Sequence, residues 1–248
     1  MYAPYGTWNR IIVYLSSPKH GFSGDPGREC RNPGWEENVM GRYWNYHAAN
    51  SAYYGERKDP GSEWRNLRAR GYWVRVSENS RGGRVSTHVS SANEWKRAFR
   101  SELEEAYVVT HTNAAKSCTQ TNGGGPDYSL VMYSQGNEKG KTFSDVLASK
   151  LPVRPHRPSR TGCKPEDNCR TGTDVQYFGD RLYELNGKTS DHPEWNHYTF
   201  RAYVETHFHS NQSAQTWFCC AGGFAGSAQW YTWRYGWALD RLLGYPGR

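Results

Sequence analysis

The chain has 248 residues, 36% of them apolar and 15% aromatic, and its 31 basic against 24 acidic side chains give a formal charge of +7. Its 11 Trp and 18 Tyr exclude a disordered chain, the length suits one large domain, and no apolar run approaches a membrane span. The positive balance suits an anionic polymer such as nucleic acid, a membrane surface or an acidic cell wall, although the basic residues are dispersed in the way that also serves a solvated face.

Taken in chain order, Arg10 to Leu15 is a β-branched run stopped by Ser-Ser-Pro and predicts a buried strand. Residues 21–34 carry four Gly and two Pro and predict a loop. From Trp35 to Tyr54, Val39, Tyr43, Trp44, His47 and Ala48 recur at helical spacing. Gly71 to Ser77 alternates as a strand. Ser90 to Glu104 predicts a helix capped by Ser91 or Asn93, with Trp95, Ala98, Phe99 and Leu103 on its apolar side. Ala106 to Thr110 predicts a third strand ending at His111, followed by a Gly-rich loop over 112–127. Ser129 to Tyr133 is a fourth strand and Phe143 to Leu151 a helix. Residues 152–176, rich in Pro, Arg and Cys, predict no regular element, and Leu182 to Leu185 is left unassigned. Phe200 to Val204 predicts a strand ending at Glu205, and Ala228 to Leu243 a Trp-rich helix stopped by Gly244 and Pro246.

Strands alternating with helices predict an α/β fold: a twisted, mostly parallel or mixed sheet flanked by helices on both faces. No repeat or linker divides the chain, so residues 1–248 are expected to form a single domain, with its core over about 10–217 and the C-terminal helix at 228–243. The low mean hydropathy of -0.93 and the 26 Gly and 12 Pro predict long loops and a wet, aromatic-rich surface. Six cysteines lean toward an oxidising environment, and Cys163 and Cys169 bracket a short polar loop that a disulfide could close. Trp230, Trp233 and Trp237 repeat at helical spacing, which favours packing on the sheet over a sugar-stacking platform.

The chemistry concentrates where apolar runs end. His20 follows the first strand, His111 ends the third, and Glu205 ends the strand at 200–204. Strand C-termini are where open α/β sheets build their sites. Two histidines, a carboxylate ligand and a separate Glu suffice for zinc hydrolase chemistry, in which one coordination position stays open for water. His207 and His209 are read as rim residues. Asn113 is read as holding a turn in preference to hydrogen-bonding a substrate.

Five segments, in order, carry a resemblance. They are Lys19-His20-Gly21-Phe22-Ser23-Gly24-Asp25-Pro26-Gly27 after the first strand, Glu36-Glu37-Asn38-Val39, Val109-Thr110-His111-Thr112-Asn113-Ala114, Ser144-Asp145-Val146-Leu147-Ala148, and Val204-Glu205-Thr206-His207-Phe208-His209-Ser210-Asn211. Together they resemble the zinc-dependent N-acetylmuramoyl-L-alanine amidases, the type-three family of peptidoglycan hydrolases. The resemblance implies a zinc carboxypeptidase-like fold, with His20, Glu36 and His111 as zinc ligands and Glu205 as the catalytic carboxylate. Glu37 is the alternative to Glu36. The chain departs from the family by a loop one residue longer after His20, by Ser17 where an Asp is usual, and by Ser77-Glu78 where Thr-Arg is usual.

The implied activity is hydrolysis of the amide between N-acetylmuramic acid and L-alanine, with a zinc-bound water as nucleophile and Glu205 moving the proton. The implied partner is peptidoglycan, not nucleic acid, and the expected state is a monomer. The N-terminal Met-Tyr-Ala-Pro-Tyr-Gly-Thr-Trp is not a signal peptide. The expected setting is the bacterial cell wall, as an autolysin or as a phage endolysin held in the cytoplasm until lysis. The rival readings are a non-catalytic wall- or peptide-binding relative, and another zinc peptidase of similar fold.

Overall fold

The computed structural model describes residues 11–17, 44–46, 48–49, 67, 72–77, 85–99, 104–113, 130–133, 137–149, 160–161, 185, 196–208 and 235–242. The strands are β1 (Ile11–Ser16), β2 (Trp73–Val76), β3 (Glu104–Asn113), β4 (Leu130–Met132), β5 (Arg160–Thr161) and β6 (Phe200–Phe208). Two helices, α1 (Val85–Arg97) and α2 (Glu138–Ala148), are joined by helical residues at 44–46, 48–49 and 235–242.

The strands form one six-stranded sheet in the order β2-β1-β3-β6-β4-β5. β2, β1, β3 and β6 run parallel, β4 is antiparallel to β6, and β5 is parallel to β4. The expected mixed α/β sheet with helices on both faces is what forms. The chain leaves β1 toward β2, then crosses back over β1 to place β3 on its other side. The strand order therefore reverses between β1 and β3, and the crevice beyond the carboxyl ends of these two strands is where open α/β sheets place their ligands.

Strand periodicity explains the two layers. Val13, Leu15, Ala106, Val108, Ala202 and Val204 face one way and are covered by Trp44, Ala48, Phe143, Leu147, Tyr235, Ala238 and Leu239. Ile12, Tyr14, Tyr107, Val109, Met132 and Tyr203 face the other way and are covered by Val89 and Ala92 of α1. Trp237 is half-buried against the first layer, as the packing reading of the C-terminal tryptophans expects; Trp230 and Trp233 lie outside the described residues.

Among the described residues, most of the large aromatic side chains go inside. Trp44, Tyr14, Tyr107, Tyr198, Tyr203, Tyr235 and Phe143 are fully buried, and Tyr46 is the exposed large hydrophobic among the described residues. Tyrosine fills a core in a chain short of aliphatic residues, provided its hydroxyl finds a partner. Tyr14 stacks on Tyr107 with ring centroids 5.5 Å apart. Tyr198 donates to the Ala92 carbonyl at 3.0 Å, and burial pushes its phenol far above the usual range, which keeps it a donor. At the same end of β6, Arg201 donates to the carbonyls of Asn196 and Tyr198, and burial lowers its guanidinium to about 10.

Helix boundaries differ most from the expectation. α1 begins at Val85 and ends at Arg97, so Ser91 and Asn93 lie inside it and cap nothing. Its buried face is Val89 and Ala92, with Trp95 and Phe99 partly covered, while Ala98 is exposed. Asn93 accepts instead from the His197 amide at 3.1 Å, a tertiary bond. α2 begins five residues earlier than its apolar stripe suggests, because Asn137 caps it through the Gly140 amide at 2.9 Å. A Cβ at Gly140 would lie 2.7 Å from the Asn137 side-chain nitrogen, so the cap requires glycine there. β5 forms inside the stretch expected to be irregular, because β4 offers it an edge.

Candidate metal and proton-transfer site

β3 and β6 each run past the end of their apolar stretch. β3 continues through His111 to Asn113, and β6 through Glu205 to Phe208. Asn113 is therefore a strand residue opposite Phe208, reached across an irregularity in the pairing, and not a turn residue. His111 and Glu205 are direct partners in the parallel register of β3 and β6. In-register neighbours project to the same face, here the α1 face, since Tyr107, Val109 and Tyr203 of that face precede them at alternate positions. His111 is 1% exposed and Glu205 is half-buried. On its other side Glu205 is opposite Leu130 of β4.

The His111 ring is held by a tyrosine. Tyr203 Oη lies 2.6 Å from His111 Nδ1, and the rings meet edge-on with centroids 5.1 Å apart. Nothing in the sequence pattern singles out Tyr203, but its place two residues before Glu205 on a strand already puts both side chains on one face.

The exits of β1 and β3 are tied together by buried polar bonds. Ser17 Oγ donates to the Thr110 carbonyl at 2.7 Å, one residue before His111. Asn45 donates to the Ser16 carbonyl at 2.9 Å and accepts from Thr110 Oγ1 at 2.8 Å. Thr110 Oγ1 is also 2.7 Å from Tyr235 Oη, which joins the C-terminal helical residues to the same point. His88 of α1 places Nδ1 2.9 Å from Ser16 Oγ and 2.8 Å from Ser77 Oγ, which fastens α1 to the ends of β1 and β2. Ser17 and Ser77, two departures from the family pattern, are thus bonding members of this rim. Asn45→Ala removes both Asn45 bonds from a buried setting and is expected to cost about 1–3 kcal/mol, read as a lower urea midpoint at unchanged slope.

His20, Glu36 and Glu37 lie outside the described residues, as do His209 and all six cysteines. Among the described residues no three of His, Cys, Asp and Glu are grouped so as to hold a metal ion. What the structure brings together is the pair His111 and Glu205, beside the end of the strand that leads to His20. Among the described residues, no helix is long and apolar enough to cross a membrane.

No protein-family model and no curated protein matches the sequence. Solved structures do resemble the fold. The N-acetylmuramoyl-L-alanine amidase AmiC2 of Nostoc punctiforme is similar at 14% identity with a TM-score of 0.54, over 96% of this chain and 99% of that one. The N-acetylmuramoyl-L-alanine amidase of Clostridium difficile 630 is similar at 16% identity with a TM-score of 0.53, over 95% and 98% of the two chains. The catalytic domain of the amidase CwlV from Bacillus (Paenibacillus) polymyxa gives 11% identity and a TM-score of 0.52, over 96% and 99%. At these identities the likeness is one of fold, and the fold is the one found in these amidase structures.

Proposed function

We propose that this protein is a zinc-dependent amidase that hydrolyses the bond between N-acetylmuramic acid and L-alanine in peptidoglycan. The observation that carries the reading is the pairing of His111 with Glu205 at the carboxyl end of adjacent parallel strands, beside the point where strand order reverses. The likeness in fold to structures described as amidases supports the same reading.

The donor set fits zinc. Neutral imidazoles and a carboxylate are its usual catalytic ligands, and a ligating histidine characteristically has its other ring nitrogen hydrogen-bonded, as the Tyr203 contact provides for His111. His20, His111 and Glu36 would hold the ion. Ser17 is pinned to Thr110, and three peptide units separate it from His20, a reach of at most about 11 Å. Zinc, when bound, would polarise the amide carbonyl and supply a nucleophilic water near neutral pH.

Glu205 would take the proton of the attacking water and deliver it to the leaving L-alanine nitrogen. Its position next to the buried His111, but on a separate strand, suits a carboxylate that works beside the ligands rather than among them. The positive charge of the chain favours an acidic wall polymer as surroundings, consistent with action at the bacterial cell wall.

The test uses purified protein on peptidoglycan, with products read by mass spectrometry. Free stem peptides are expected, their release abolished by a chelator and restored by added zinc. New reducing sugar ends, or release of the C-terminal residue of the stem alone, would reject the assignment.

A further inference from the structure

The His111 contact has a consequence beyond the choice of ligands. Tyr203 is 1% exposed and sits on the central strand β6 between Val109 of β3 and Met132 of β4. Packed on both flanks by strands, its phenol has little freedom to swing, and its oxygen is fixed 2.6 Å from His111 Nδ1. The edge-on ring contact adds a second restraint on the imidazole plane. One strand therefore carries both the proposed proton carrier, Glu205, and the group that holds the neighbouring imidazole.

We infer that Tyr203 is a positioning residue: it accepts from Nδ1–H of His111 and thereby presents the Nε2 lone pair of that ring. The inference rests on the zinc reading for its use, but the tautomer itself is a property of the protein without metal. A neutral imidazole has one donor and one acceptor nitrogen, and the partner of one decides the role of the other. With Nδ1–H directed at a fixed phenol oxygen, the ring is ready to ligate through Nε2 without first changing tautomer or turning. Tyr203→Phe keeps the ring and its packing and removes only the oxygen.

Two measurements test this. Long-range proton–nitrogen NMR of metal-free protein, with His111 assigned by its absence in His111→Ala, reads the tautomer directly. An Nδ1–H tautomer in the parent protein is expected, and an Nε2–H tautomer overturns the inference whatever the variants do. Zinc affinity, measured by competition with a chromophoric chelator, is expected to fall about 10–100-fold in Tyr203→Phe. The near-ultraviolet spectrum checks that this variant is folded. Zinc affinity within about two-fold of the parent in Tyr203→Phe, alongside a large loss in His111→Ala, rejects the role of Tyr203 and leaves the metal reading standing. Unchanged affinity in His111→Ala rejects His111 as a ligand, and the positioning role with it.

Discussion

Glu205→Gln is expected to slow peptidoglycan hydrolysis by about 10²–10⁴-fold, the range contributed by a positioned proton carrier, with zinc affinity unchanged. Glutamine keeps the shape of the side chain and its capacity to accept a hydrogen bond, but it cannot take a proton from water. The β3–β6 register is a main-chain property, so His111 keeps its place in this variant. The loss should appear in kcat rather than KM, because the carboxylate acts on the reacting atoms and not on the bound saccharide or peptide. Full activity in Glu205→Gln would remove it from the mechanism. Loss of zinc together with activity would instead make Glu205 a ligand and require a different base.

The second large effect concerns the fold that holds the site. Phe143 of α2 is fully buried in the layer formed with Leu147, Phe200 and Val204. Its ring meets Phe200 edge-on, with centroids 6.2 Å apart. Truncation to alanine loses both the transfer free energy of the ring and the contacts around the cavity left behind. Phe143→Ala is expected to cost about 3–5 kcal/mol, and Phe143→Leu markedly less. Urea denaturation followed by tryptophan fluorescence would read this as a drop in midpoint. Phe200 starts the strand that carries Glu205, so the loss should also loosen the β6 register on which the site depends. A cost under about 1 kcal/mol would mean that the layer collapses around the gap.

Much of the sheet could be read from residue order because strand and helix periods differ. The β-branched run at 11–15, the alternating run at 73–76 and the apolar stretches leading to His111 and Glu205 all became strands. Helix starts were harder to read. Asn137 and Gly140 make a cap only through a close approach, and the residues that begin α1 carry little apolar signal. β5 was invisible for a related reason, since a two-residue strand exists only by virtue of the edge that receives it.

Glu105 and Glu205 show where the sequence alone stops. Both are glutamates on interior strands, and either could follow from the cost of burying a carboxylate without a task or a partner. The structure separates them. Glu105 lies near the start of β3, 3.0 Å from Lys96 Nζ, and accepts from the Thr199 amide and hydroxyl, so its burial is compensated by structure. Glu205 lies at the opposite end of the sheet, in register with His111. The sequence by itself determined that apolar strand stretches would end at His111 and Glu205, because apolar periodicity is local; strand pairing then carries β3 on to Asn113 and β6 on to Phe208. Only the tertiary structure decided that these two ends are neighbours, that Tyr203 holds the imidazole, and that Ser17, Asn45 and Thr110 bind the β1 and β3 exits together. Those facts depend on strand order and register, which arise from packing between segments far apart in the chain.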